Sequence, residues 1–283
     1  MAMIVPGSMA IRNMKRSEVD LALEWAAKEG WNPGIRDAEP FFRADPRGFF
    51  IGEVNGEAAA MGSLVSYPGD MSFAGFLIVR PDLRGHGLGR QMLRFLMDHG
   101  ADRNVMGDGV PAMVPTYLDK GFSFSHWNHR FEGLGEQNIF ADLVPVSEVP
   151  FDDLIRYDAH VFQASRREFL RSFLTQEGTT ALACIHNGEL QGYGAIRPCR
   201  TGHRVGPLFA EDRTTAESIL HGLISTIPGQ RYFLDVPELN AVGMALARDI
   251  GLTESFRTAR IYTKYIPATF FNKMFGITSY ELG

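Results

Sequence analysis

Asn55-Gly56-Glu57 followed by Gly62 recurs 132 residues later as Asn187-Gly188-Glu189 followed by Gly194. The correspondence continues in order. Gly75-Phe76-Leu77-Ile78 lines up with Gly206-Pro207-Leu208-Phe209, Asp108-Gly109-Val110-Pro111 with Asp235-Val236-Pro237, and Lys120-Gly121-Phe122 with Ile250-Gly251-Leu252. The offset drifts only between 132 and about 126. Asn-Gly turns recur in any hairpin-rich chain, so chance is the competing explanation. A series of matches in one order favours an internal duplication. Such a chain is expected to fold as two copies of one α/β (α+β) unit with a mixed sheet, and 283 residues suits two ordinary domains. We place the copies at residues 10–132 and 139–283, joined by Gly133-Leu134-Gly135-Glu136-Gln137-Asn138.

Composition narrows the class. The chain has 33 acidic and 28 basic side chains, a net charge of −5, so it is a poor general binder of nucleic acid or of an anionic membrane. With 45% hydrophobic residues it can build a core, yet no apolar run approaches the roughly 18 residues that span a bilayer. Two cysteines, Cys184 and Cys199, give no disulfide framework and suit a reducing cytoplasm. The first ten residues, broken by Pro6, lack the hydrophobic stretch of a signal peptide.

In the first copy, the patterning predicts a strand over 11–14 and a helix capped by Ser17 that ends near Gly30. A hairpin turns at Asn55-Gly56, and an apolar strand covers 73–79. Leu88, Met92, Phe95 and Leu96 then mark one helical face. A short strand over 104–106, a helix within 110–120 and strands over 122–131 complete the copy. The second copy opens with a strand over 139–146, helices over 151–163 and 166–176, and a strand over 179–186.

Between the strand and the helix of the first copy lies Arg80-Pro81-Asp82-Leu83-Arg84-Gly85-His86-Gly87-Leu88-Gly89-Arg90. Glycines in a strand-to-helix turn let several backbone amides face one point, at the positive end of the helix dipole. Arg80, Arg84, Arg90 and Arg94 fall within fifteen residues, with Asp82 as the one acid among them before Arg94. The chemistry asks for a phosphate or pyrophosphate. No Gly-Lys-Ser/Thr of a P-loop is present, and Arg90 stands where a dinucleotide fingerprint needs its third glycine. What remains is R-x-x-G-x-G, met by Arg84, Gly87 and Gly89; its rival is a helix start that uses glycine for packing only.

With Val79-Arg80-Pro81 ahead of it, this pattern resembles the acyl-CoA signature of the GCN5-related N-acetyltransferase (GNAT) superfamily. Tyr117-Leu118-Asp119-Lys120-Gly121-Phe122 resembles the Y-x-x-x-G-F element near the end of that fold. Residues 10–131 thus resemble one complete GNAT domain, the rest a degenerate copy, and the whole is similar to tandem bacterial acetyltransferases. The resemblance implies acetyl-CoA as acyl donor and no metal. It puts the donor on Leu77, Ile78, Val79, Arg84, Gly85, His86, Gly87, Leu88, Gly89 and Arg90. Val110 replaces the asparagine that commonly contacts the pantetheine arm in the family. In the second copy Ala210-Glu211-Asp212-Arg213-Thr214-Thr215-Ala216-Glu217 follows the strand with no glycine and three acids, so only the first copy is expected to bind acyl-CoA.

The family reaction is direct attack of an amine on the thioester in a ternary complex. The resemblance implies that a backbone N–H near Val79 holds the carbonyl oxygen and that carbonyls of Leu77 and Val79 hold the pantetheine. It also implies that Tyr117 protonates the departing thiolate; a structural role for a buried tyrosine is the alternative. An alkylammonium of pKa about 10.4 costs roughly 4–5 kcal/mol to deprotonate at pH 7. Asp108 is the candidate base, and its rival role is to start an Asp-Gly turn. His126 and His129 fall on opposite faces of a strand, which argues against a metal pair. Cys184 reads as core. Trp25, Trp31, Phe41 and Phe42 serve either an acceptor wall or the core. Two classes of function follow: an N-acetyltransferase acting on a primary amine of a small molecule, compatible with a homodimer, or a non-catalytic acyl-CoA sensor.

Overall fold

The computed structural model describes residues 9–137 and 143–283. The same ten elements occur twice. The first run is β1 (Ala10–Asn13), α1 (Arg16–Lys28), α2 (Ala38–Ala44), β2 (Phe49–Val54), β3 (Glu57–Ser66), β4 (Met71–Val79), α3 (Leu88–His99), β5 (Asn104–Gly109), α4 (Val114–Asp119) and β6 (Ser123–Leu134). The second is β7 (Leu143–Pro145), α5 (Phe151–Phe162), α6 (Arg167–Leu174), β8 (Thr180–His186), β9 (Glu189–Pro198), β10 (His203–Ala210), α7 (Arg213–Ile224), β11 (Arg231–Pro237), α8 (Ala241–Asp249) and β12 (Thr253–Tyr262). A short β13 (Met274–Gly276) follows. The first helix is capped at Lys15 rather than Ser17: the Glu18 carboxylate accepts from the Lys15 amide at 2.7 Å, closing the first turn from inside the helix.

The halves of the sequence are not the halves of the sheet. All strands join one mixed sheet in the order β1-β2-β3-β4-β5-β12-β6-β11-β10-β9-β8-β7, with β13 on β10. The last strand of each run has crossed to the other. Strand β6 lies antiparallel to β11 from Leu134↔Arg231 to Asn128↔Pro237, and β12 lies against β5 from Tyr262↔Met106 to Ala259↔Gly109. At the centre β6 and β12 pair with each other. A duplicated chain offers each terminal strand two equivalent docking edges, and nothing local in its sequence selects between them. The expected linker is consequently sheet: Gly133 and Leu134 finish β6, and Gly135 bridges to Pro228. Asn138 and residues 139–142 of the expected strand lie outside the described residues, and 143–145 form β7.

One face of the sheet carries a core shared by both runs. Phe41, Phe49 and Phe76 join Phe169, Phe173, Tyr193 and Phe209 in one buried cluster, with α2 packed on α6. Trp25, Trp31 and Phe42 pack at its margin. On the opposite face α3 sets Leu88, Met92 and Leu96 on β3 and β4, each such burial stabilising by about 1.5–3 kcal/mol. Buried ion pairs tie the runs together: Asp37 with Arg197, Arg130 with Asp235, and Asp108 with Arg260. Residues 274–283 are buried throughout, the first three as β13 of the sheet.

Candidate functional site

The site starts where β4 and β5 part. They pair in parallel from Met71↔Asn104 to Ala74↔Gly107, after which β4 continues to Val79 without β5. A bulge sets the parting, because Gly62 of β3 alone opposes both Phe76 and Leu77. Phe76 takes a φ of +50°, which costs a non-glycine residue about 1–2 kcal/mol. Its ring is gripped by Phe41 and Phe49 at centroid distances of 6.1 and 6.2 Å. Arg80 donates its amide to Ala59 on the β3 side, so alternation turns the polar groups of Val79 to the open side. There the Val79 carbonyl accepts from Arg84 Nε at 3.0 Å.

Beyond β4 the turn is open and glycine-rich. Gly85 and Gly87 have φ of +81° and +82°, and a Cβ at either would meet nothing within 4 Å. Open space in front of left-handed glycines is what a bulky anion at close range requires. Gly87 caps α3 without a side chain, and Gln91 is the first helical residue to donate back, to the Gly87 carbonyl at 3.1 Å. The amides of Leu88, Gly89 and Arg90 therefore face outward, and those of Gly85, His86 and Gly87 have no partner among the described residues. The arginines are less free than their spacing suggests. Arg80 pairs with Glu57 and Asp82, Arg84 with Glu29, and Arg94 with Asp98. Arg90 is exposed and has no ion-pair partner among the described residues.

Tyr117 packs against Gly109, where a Cβ would come within 2.7 Å of its ring, and edge-on to Phe122. Its hydroxyl has no hydrogen-bond partner among the described residues, and burial raises its pKa, so it carries its proton at neutral pH. Asp108 sits on β5 beside the parting, as the sequence placed it, but its carboxylate belongs to Arg260. Nε and Nη2 of Arg260 donate to its two oxygens at 2.8 Å each, and Asn128 adds a third bond at 2.8 Å. The side chain has no exposed surface. An oxygen pair so engaged has little left for an incoming ammonium. His126 is buried against Phe271, with Nε2 unpartnered among the described residues. His129 points the other way, to Glu254 and Glu238. Arg260, Asn128 and Glu29 escaped the sequence reading; the Asp108/Asp235 match marked the acids but not their partners.

The second run closes the same place. Strands β10 and β11 part after Val205↔Leu234, and β13 fills the gap, pairing with β10 at Leu208↔Gly276 and Phe209↔Met274. Ile277 donates its amide to the Asp235 carbonyl on β11 at 2.9 Å. Helix α7 is capped by Asp212, whose carboxylate accepts from the Thr215 amide at 2.8 Å, and Glu211 is held by Lys273. Chain occupies the gap, and a carboxylate occupies the cap.

A duplicated mixed sheet with one open cradle defines a class, and comparison with known proteins agrees. Residues 16–108 match the Acetyltransferase (GNAT) family and residues 154–276 match an Acetyltransferase (GNAT) domain. The chain is 30% identical over 276 residues to holothin acyltransferase of Pseudoalteromonas sp. (strain SANK 73390), covering 94% of this chain and 92% of that one. Among solved structures, a Pyrococcus horikoshii protein assigned as an acetyltransferase superposes with a TM-score of 0.83 at 19% identity, over 97% of this chain and 96% of that one. A tandem GNAT protein from the clavulanic acid biosynthesis pathway gives a TM-score of 0.64 at 16% identity, over 92% of this chain and 100% of that one. The chain belongs to the GNAT family in its tandem form and is an acyltransferase of that type. No helix among the described residues is long and apolar enough to cross a membrane.

Proposed function

We propose that this chain transfers the acetyl group of acetyl-CoA to a primary amine of a small molecule, in the cytoplasm, and that the first half alone binds the donor. The carrying observation is the contrast between the two helix starts: outward amides and left-handed glycines at α3, a carboxylate cap and a filled gap at α7. Amides of residues 85–90 and the Arg90 guanidinium would hold the pyrophosphate. The open edge at Leu77 and Val79 would hold the pantetheine, once Arg84 releases the Val79 carbonyl. The amine attacks the thioester carbon as the C–S bond breaks, and Tyr117 gives its proton to the departing sulfur. The ammonium first loses one proton to water, the attacking nitrogen sheds a second as the amide forms, and water returns a proton to the Tyr117 oxygen. We assign Asp108 to fixing β5 through Arg260. A relative named holothin acyltransferase supports the transfer of an acyl group.

A time course with acetyl-CoA and a pooled amine library tests this. CoA release should depend on added amine and fall about 100-fold in Tyr117→Phe, within the range for losing one general acid. Tight binding of acetyl-CoA with no turnover on any amine would replace the enzyme with a sensor.

A further inference from the structure

Gly75 and Gly206 are matched residues of the two runs; Gly75 is the last paired residue before the register shift in β4, and Gly206 lies within the shift in β10. Both are kept bare by the same short segment. A Cβ on Gly206 would collide with the Ile277 carbonyl oxygen, and a Cβ on Gly75 with the Glu281 carbonyl oxygen. Residues 277–281 therefore run from the filled gap of the second half to the back of the open one in the first. The segment is fastened at several points along its length. Strand β13 holds it on β10, the Thr278 hydroxyl accepts from Arg166 at 2.7 Å, and the Leu282 carbonyl accepts from the Tyr67 hydroxyl at 2.7 Å. Arg130 lies over the Tyr280 ring at 4.6 Å.

We infer that residues 274–283 are a positioning strap: anchored where the second half would hold an acyl chain, they press on Gly75 and fix the bulge that aims Leu77 and Val79 at the donor. The inference rests on the reading that the first half is catalytic. It gives the second half a part in the reaction without a site of its own. The Glu281 carbonyl and the Ser63 hydroxyl both fill the face where a Gly75 side chain would stand, so the residue before the left-handed Phe76 is packed against the strap and β3 together.

Two substitutions far from the cradle test it. Tyr67→Phe removes the hydroxyl that holds Leu282. Gly276→Val places a side chain against Leu234 and Leu208 and unseats β13. Hydrogen exchange of the ligand-free protein should quicken at residues 76–79 by about fivefold in Tyr67→Phe, the effect of one lost neutral hydrogen bond. The increase should be larger in Gly276→Val. The dissociation constant for acetyl-CoA should stay within about twofold, because the amides of 85–90 are untouched, while kcat falls by about fivefold or more. Faster exchange of 277–283 with residues 76–79 unchanged would overturn the strap, as would an unchanged kcat. If Gly276→Val does not fold, Tyr67→Phe decides alone. If the wild type acetylates no amine, the proposed function fails, and exchange at 76–79 still decides the strap.

Discussion

Arg260 donates to both oxygens of Asp108 at 2.8 Å from a position 152 residues further along the chain. The mirror pair is Arg130 with Asp235, at 2.7 and 2.9 Å. Each aspartate sits on the strand beside a parting, and each arginine sits on a terminal strand that crossed over. Without the exchange the equivalent pairs would be Asp108 with Arg130 and Asp235 with Arg260, so this pairing holds the central sheet without dictating the exchange.

Asp108→Asn and Arg260→Met should each destabilise the chain, by about 3–5 kcal/mol where one charge is left buried without its partner. The double variant Asp108→Leu with Arg260→Met should recover most of that loss, since two well-packed apolar groups can replace a buried pair. Urea unfolding reads the stabilities. In the fraction that folds, Asp108→Asn should keep kcat within about tenfold; a drop of 100-fold or more would make Asp108 the general base.

Calorimetric titration with CoA should give one site per chain. Gly87→Val should weaken it by at least about tenfold, because a β-branched residue at a φ of +82° is strained and shields the cradle. Replacing the cap, Asp212→Gly, should leave the stoichiometry at one, because β13 still fills the second gap. Two equivalent sites in the unaltered chain would overturn the assignment of the donor to the first half.

The cradle and the duplication were legible because they depend on local chemistry: glycines that must reach positive φ, and an order of turns that survives divergence. The left-handed conformation of Gly85 and Gly87 follows from residue type and turn context alone. The strand exchange was not legible, because β6 and β12 read alike and a sequence pattern states which face a strand buries, not which edge it joins. Phe76 at a positive φ was invisible for a related reason: the residue type argues against it, and only the grip of Phe41, Phe49 and the strap holds it there. The arginines near the turn looked unpaired because Glu29 and Glu57 reach them from other elements. The Arg260 partner of Asp108 was not legible because it lies in the other half.

His126 should make the chain acid-sensitive. Burial, reinforced by Arg260, pushes its pKa down from 6.5 to about 3. The unfolded chain takes up this proton near pH 6.5 and the folded chain does not. The contribution is therefore fully present above pH 6.5 and lost as pH falls toward 3, with an upper bound of about 5 kcal/mol. His126→Phe should flatten that part of the stability profile, read as the urea midpoint from pH 7 to pH 4. An unchanged slope would show that His126 already carries a proton in the fold.

Glu281 should act in the opposite sense. Its carboxylate is fully buried, its oxygens have no hydrogen-bond partner among the described residues, and the nearest cation, Arg204 Nη1, is 3.8 Å away. Burial raises its pKa; Asp37 raises it further, while Arg204, Arg130 and Arg197 pull it down. Asp235 shares Arg130 and Arg204, at 2.7 and 3.6 Å, and so takes much of their field. The folded chain thus holds this proton more tightly than the unfolded one. Its contribution is complete below the ordinary glutamate value of about 4.3 and is lost as pH rises through the folded value. Glu281→Gln keeps the shape without the charge, so it should be more stable than the parent at pH 8. The gap should close as pH falls toward 4, read by thermal unfolding across that range. Because the strap touches Gly75 at this residue, the same variant should slow hydrogen exchange at residues 76–79 at pH 8. A parent chain more stable than Glu281→Gln at pH 8 would mean that an ionised Glu281 paired with Arg204 holds the strap.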